Sequence, residues 1–372
     1  MAGQRKLFED VGSETRGAAP QGGMIDAGKR GARGAIRIWL FILFALVVAM
    51  IAVGGLTRLT DSGLSITEWR PVTGALPPLS DADWQVEFAK YQASPEYRLQ
   101  NSHMDLAAFK SIFWWEWAHR FLGRFIGIVF IVPLVWFWAT GRIGWKLAPR
   151  LAGIFVLGGL QGAVGWWMVS SGLVERTDVS QYRLAAHLTL ACAIFAYVLW
   201  VAVGLRFRRD TAPPAVRTMG VVLLALVFLQ IFLGGLVAGL DAGLASDTWP
   251  LMRGAFIPDG LLFQEPWWRN LFENALTVQF DHRIVGYVVF AAALAHAWQT
   301  RGTAYSRRAM TLAILVTIQA ALGIANLLAA VPIWLALVHQ FGAIVVLAHA
   351  VTNLRAMLPA GEGTAARVPV EA

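Results

Sequence analysis

The chain has 372 residues, is 57% apolar, contains 17 Trp and carries only 15% charged residues, with a net charge of +8. A soluble domain of this length would be far richer in charge, so the composition points to the membrane. The positive charge does not point to nucleic acid, because it gathers in alternate connections between apolar runs.

In chain order, Ile38 to Thr57, Leu151 to Val174, Leu184 to Leu205 and Thr218 to Leu240 are each long enough to cross a bilayer, which takes roughly 20 residues. Phe125 to Gly141 and Ile284 to Thr300 are shorter, but each continues backwards through a few polar residues. Ala309 to Leu354 has no Asp, Glu, Lys or Arg and is long enough for two spans, with Pro332 marking the turn. The expected fold is therefore an all-α integral membrane protein of eight transmembrane helices. Arg5, Lys6, Arg16, Lys29, Arg30 and Arg33 precede the first. Arg142, Lys146 and Arg150 lie between the second and third, Arg206, Arg208, Arg209 and Arg217 between the fourth and fifth, and Arg301, Arg307 and Arg308 between the sixth and seventh. The positive-inside rule then puts both termini in the cytoplasm. Residues 1–35 and 356–372 read as cytoplasmic tails, largely disordered. No cleavable signal peptide is expected, and Glu9, Asp10, Glu14 and Asp26 argue against a transit peptide. Cys192 is the only cysteine and lies within a span, so neither a disulfide nor covalent haem attachment is expected.

The chain is written twice. Gly54-Gly55-Leu56 is followed by Asp61-Ser62-Gly63-Leu64, and Gly234-Gly235-Leu236 by Asp241-Ala242-Gly243-Leu244. His119-Arg120 in the second helix recurs as His282-Arg283 in the sixth. Gln161 with Gly165 recurs as Gln319 with Gly323, and His187 as His339. The reading is two tandem four-helix bundles, 36–205 and 218–355, joined by a linker at 206–217 and related by a pseudo-twofold axis along the membrane normal.

Ionisable residues inside a membrane suggest function. The four histidines sit about seven or eight residues below the outer ends of their helices, roughly 10–12 Å at 1.5 Å per residue. His119 and His187 should face each other in one bundle, and His282 and His339 in the other. Two imidazoles at one level can ligate an iron porphyrin from both sides. Zinc competes, but it wants four donors and each bundle offers two. Arg120, Arg124 and Arg283 could pair with haem propionates or with loop acids. Glu116 precedes His119 by three residues on one helix face, where a carboxylate suits proton transfer. The alternative is an ordinary interfacial residue. The matching position before His282 is Gln279, which cannot exchange a proton, and Asp281 points elsewhere. His103 reads as a solvated loop residue, while His296 and His349 read as packing or interfacial. The outer loop Thr60 to Lys110 reads as a cover over the first bundle or as a linker.

From about Ile38 to Leu354 the sequence resembles the haem A synthase family, through Glu116–His119–Arg120, the Gly-Gly-Leu and Asp-x-Gly-Leu segments, His187, Asp281-His282-Arg283 and His339. It lacks the outer-loop cysteine pair of some members and is similar to the cysteine-free, proteobacterial and mitochondrial branch. The resemblance implies an oxidoreductase of the bacterial inner membrane that converts a methyl group of haem O to a formyl group by successive hydroxylations and loss of water. It implies that His119 and His187 hold the substrate haem O, that His282 and His339 ligate a resident haem b through which electrons leave, and that Glu116 is the essential carboxylate. It further implies haem sites towards the outer side and, as partners, a haem O synthase and a membrane electron acceptor. Two other readings are a non-enzymatic di-haem b electron carrier and a transporter or haem-delivery protein.

Overall fold

The computed structural model describes residues 24–174, 176–205 and 211–358. Most of the expected N-terminal tail, linker arginines 206, 208 and 209, and residues 359–372 of the C-terminal tail lie outside the described residues. Where the tail is described, it departs from expectation: α1 (Met24–Leu59) starts well ahead of Ile36. No proline interrupts the stretch, so nothing stops the helix from running backwards.

The chain continues through α2 (Asp81–Gln92), α3 (Pro95–Leu99), α4 (Leu106–Ala139), α5 (Ala148–Val169), α6 (Gln181–Gly204) and α7 (Pro214–Gly239). Then come α8 (Asn270–Glu273), α9 (Ala275–Gln299), α10 (Ser306–Leu328) and α11 (Ile333–Met357), with no strand among the described residues. Seven helices (all the long ones except α9) are long and apolar enough to cross a membrane. The sequence reading expected eight. The 25-residue α9 is long enough, but its first half carries Gln279, Asp281, His282 and Arg283.

Among the described residues, side-chain N-caps occur on helices that begin in the long connections. Ser80 caps α2 in a reciprocal box with Asp83, Ser94 caps α3, Asp105 caps α4 and Asn274 caps α9. Within α4, Pro133 removes the amide that would bond the Val129 carbonyl. The Trp39 indole N–H of α1 donates to that carbonyl instead, at 2.8 Å. An orphaned carbonyl facing lipid would cost several kcal/mol, so this one contact fixes α1 against α4.

Helix α1 packs on α4, α6 and α11, α5 on α6, and α7 on α6, α9 and α11, with α10 between α9 and α11. The largest apolar cluster runs from Val47 and Ile51 of α1 through Phe195 and Leu199 of α6 to Leu223, Val289, Leu312 and Leu347. It therefore draws on both sequence repeats. Polar ties add to it. Gln340 of α11 donates to the Ile51 carbonyl at 2.7 Å. At the C-terminal end of α1, Arg58 bonds Asp61 and Asp241, at 2.7 and 2.8 Å, together with the Ala238 carbonyl. These two aspartates are repeat-equivalent, and both adopt a left-handed backbone, with φ of 47° and 49°.

The loop between α1 and α4 is an ordered cap. Trp84, Phe88 and Tyr91 of α2 pack on Phe109 and Phe113 at the start of α4. That packing explains why α4 is 34 residues long, well beyond the thickness of a bilayer. Trp69 reaches across to Trp166 of α5, with ring centroids 5.2 Å apart.

Within this cap Glu96 is buried, and its Oε2 has no partner among the described residues. Burial pushes its carboxyl up to about 8, with the Tyr91 hydroxyl opposing and the Glu116 charge adding to the shift. A carboxyl whose folded value exceeds its unfolded value stabilises most at low pH and loses that contribution progressively between the unfolded and the folded values. Backbone hydrogen exchange in 81–99, corrected for intrinsic base catalysis, should accelerate as pH rises from the ordinary value of 4.5 towards about 8 and level off above it. Glu96→Gln should abolish that dependence, and an identical pH profile in the variant would refute the assignment.

Candidate functional site

Each of the histidines His119, His187, His282 and His339 lies against a glycine of another helix. A methyl group placed on Gly54 of α1 would lie 3.0 Å from His119 Nε2 of α4. One on Gly165 of α5 would lie 2.9 Å from His187 Cε1 of α6. The same substitution at Gly234 of α7 comes within 3.3 Å of His282 Cε1 of α9, and at Gly323 of α10 within 2.8 Å of His339 Cε1 of α11. Only a residue without Cβ lets the helices close to this distance. The repeat seen in sequence is thus a repeated contact. His119 lies within electrostatic range of His187, and His282 of His339. Three of the histidines fall within two turns of their helix starts. His119 lies deeper in α4, because the cap extends that helix upstream.

Glutamines bind three of these histidines. Gln161, Gln230 and Gln319 donate through Nε2 to the main-chain carbonyls of His187, His282 and His339, at 3.2, 3.0 and 2.8 Å. The same nitrogens lie 3.4 Å from His187 Nε2, 3.2 Å from both ring nitrogens of His282 and 3.1 Å from His339 Nδ1. Oε1 of each glutamine is buried with no partner among the described residues, as is His187 Nδ1. Gln230 escaped the sequence reading. Its signal was there, four residues before Gly234 as Gln161 is before Gly165.

Beside the histidines, the arginines hold the long loops. Glu116 is 2% exposed and accepts from Ser65 Oγ and the Ile66 amide, each at 2.7 Å, and it pairs with Arg120. Arg120 also donates to the Ile66 and Glu68 carbonyls, at 2.7 and 2.9 Å, and Arg124 to those of Arg70 and Pro71, at 2.7 and 2.8 Å. In the second half Gln279 donates to the Gly243 and Ser246 carbonyls, at 2.9 and 3.0 Å. Arg283 donates to Ser246 and Thr248, at 3.0 and 2.8 Å. The loop partners are main-chain carbonyls, where the sequence had offered loop acids as the alternative to propionates. Arg124 Nη1 remains buried without a partner among the described residues. A cleft of about 270 Å³ opens beside Trp117, Arg120 and Arg124.

The remaining histidines sit apart from these pairs. His103 is exposed, His296 is buried against Asn353 at 3.1 Å, and His349 contacts the Arg308 carbonyl at 2.9 Å. Among the described residues no group of three or more His, Cys, Asp or Glu converges as a single-ion site. Two imidazoles per half suit a group that needs two axial donors rather than tetrahedral zinc.

The family of cytochrome oxidase assembly proteins designated COX15-CtaA matches residues 37–351. Among relatives carrying the name "heme A synthase", that of Brucella anthropi is 53% identical over 333 residues, 88% of this chain and 93% of the relative. The Allorhizobium ampelinum protein is 52% identical over 349 residues, 92% of this chain and 96% of its own. That of a Chelativorans species is 55% identical over 326 residues, 86% and 90%.

The glycine contacts make a direct prediction. Gly165→Ala and Gly323→Ala must push an imidazole aside, and overpacking of this kind costs about 1–3 kcal/mol. Both should lower the thermal unfolding midpoint in detergent. Gly158→Ala, which meets nothing within 4 Å, should leave it unchanged, and equal midpoints for all three variants would show that the contacts are not tight.

Proposed function

Because this chain belongs to the COX15-CtaA family of cytochrome oxidase assembly proteins, we propose that its four imidazoles hold two haems and that it oxidises a methyl group of haem O to the formyl group of haem A. It is a membrane oxidoreductase of haem A synthesis. The observation that carries the site is the glycine–imidazole contact, made four times and twice in each sequence repeat.

In this reading α9 is the eighth crossing, since His282 must stand level with His339. The two halves, 36–205 and 218–355, are four-helix bundles related along the membrane normal. Arg142, Lys146, Arg150, Arg217, Arg301, Arg307 and Arg308 mark the cytoplasmic side, which sets the haem sites towards the outer face of a bacterial inner membrane. His119 and His187 hold the substrate, haem O, delivered by a haem O synthase of the same membrane. His282 and His339 hold a resident haem b. The donor set suits it: α9 and α11 each offer one imidazole, within electrostatic range of the other, as a group with two axial positions needs. When bound, haem b supplies a one-electron redox centre that a membrane electron acceptor can draw upon.

The chain's own residues supply the rest. Arg120 and Arg124 fasten the cap over the first pair and so limit water at the methyl group. Arg124 Nη1 is a buried donor suited to a propionate. Oxidising a methyl to a formyl group releases protons as well as electrons, and Glu116 is the group that takes them up. Gln279 supports that role. It ties its own loop through the same helix position without an ionisable group, so holding a loop does not by itself require a carboxylate at 116.

Chromatography of haem extracted from the purified protein, co-expressed with a haem O source, tests the proposal. Haem B together with haem O, its hydroxylated form or haem A is expected, whereas haem B alone would favour the electron carrier. Glu116→Gln should retain the bound haems, keep the cap closed and lose haem A. An unchanged haem A yield would remove Glu116 from the mechanism.

A further inference from the structure

Three of the four histidines share one arrangement: a glutamine four residues before the facing glycine bonds the histidine's carbonyl and lies beside its ring. Residues four apart stand on one helix face, so glutamine and glycine address the same imidazole. In α1 the place is filled by Met50, four residues before Gly54. The substitution is spatial as well as sequential. Met50 Cε lies 3.4 Å from the methyl position of Gly123, and Gln230 Nε2 lies 3.5 Å from that of Gly286, the repeat equivalent of Gly123. A thioether cannot donate, and His119 has no side-chain hydrogen bond among the described residues.

The consequence is unequal. Of the pair assigned to substrate, His187 is tied by Gln161 and His119 is not. Of the pair assigned to the resident group, both are tied, His282 by Gln230 and His339 by Gln319. A side chain that bonds a ligating histidine's main chain and stands beside its ring fixes its orientation, and losing such an outer-shell partner typically weakens metal binding 10–100-fold. We propose that Gln161, Gln230 and Gln319 are positioning residues that make their histidines permanent ligands, and that Met50 leaves His119 the releasable one, through which the first site exchanges its haem. This rests on the assignment of the two pairs to substrate and resident haem. It adds what distinguishes a site that must empty from one that must not.

Reciprocal exchanges test it on the intact haem-loaded protein, with loss of ferric haem to excess apomyoglobin followed optically. The wild type should show a fast and a slow phase. Met50→Gln should slow the fast phase about tenfold, and Gln230→Met should speed the slow phase by a similar factor. The low-spin electron paramagnetic resonance signals should shift only for the haem whose ligand is altered, which a purely structural defect would not produce. Slower release in Met50→Gln is a gain that misfolding cannot imitate. Rates within twofold of wild type in both variants, with bis-imidazole signals intact, would overturn this inference and leave the haem reading standing. Absence of any bis-imidazole signal in the wild type would overturn both.

Discussion

Placing an imidazole between apolar helices sets the demand that the rest of the structure meets. The ring is polar, it has no water to bond, and its helix must still lie close enough to a neighbour to exclude lipid. Glycine opposite each ring allows the approach, since a methyl group at Gly165 or Gly323 would stand under 3 Å from the imidazole. Glutamine beside three of the rings gives the polar edge a donor and bonds the histidine's carbonyl to the facing helix. Polar bonds of this kind between membrane helices contribute about 0.6 kcal/mol on average. They act chiefly on register, holding the histidines where a pair can share one ligand. The long apolar cluster through α1, α6, α7, α9, α10 and α11 then supplies packing without disturbing that register.

A second consequence appears where the long loops meet the histidine helices. Those loops must be held close to the histidines, and arginine answers because its planar fork can bond two carbonyls at once. Arg120, Arg124 and Arg283 all do so. The loop over the first half becomes a small helical cap with its own aromatic core, so α4 continues upward as part of the cap as well as of the membrane region.

Much of this was legible in the sequence because it rests on recurrence. The paired Gly-Gly-Leu segments, Gln161 and Gln319, and the four histidines are visible as a period, and the structure turns that period into contacts between the helices expected. What was hidden depends on chain path or on a broken recurrence. Sequence cannot say which carbonyls a loop will offer, so the arginines were assigned to propionates or loop acids. The polar residues opening α9 and the amphipathic start of α4 blurred where those helices begin. Gln230 was missed because its repeat equivalent is Met50: comparing the halves shows a match only where both copies kept the residue.

The departures between the halves gather around one of the four histidines. Glu116, where the other half has Gln279, lies three residues before His119. Met50, where the other half has Gln230, stands in the helix facing it. Gln340, whose repeat equivalent after His187 is Leu188, crosses from α11 to the Ile51 carbonyl and lies over Gly55, next to the glycine that His119 touches. Neutral drift in a duplicated packing unit would scatter such differences over both halves. Here the second half carries glutamine at each corresponding position, and the first carries a carboxylate and a thioether, with a strut from its partner half at Gly55. Under the proposed assignment, a bundle that holds its ligand needs both imidazoles equally secured, whereas one that works on its ligand needs a side that can ionise and let go, and α1 and α4 carry the residues for it.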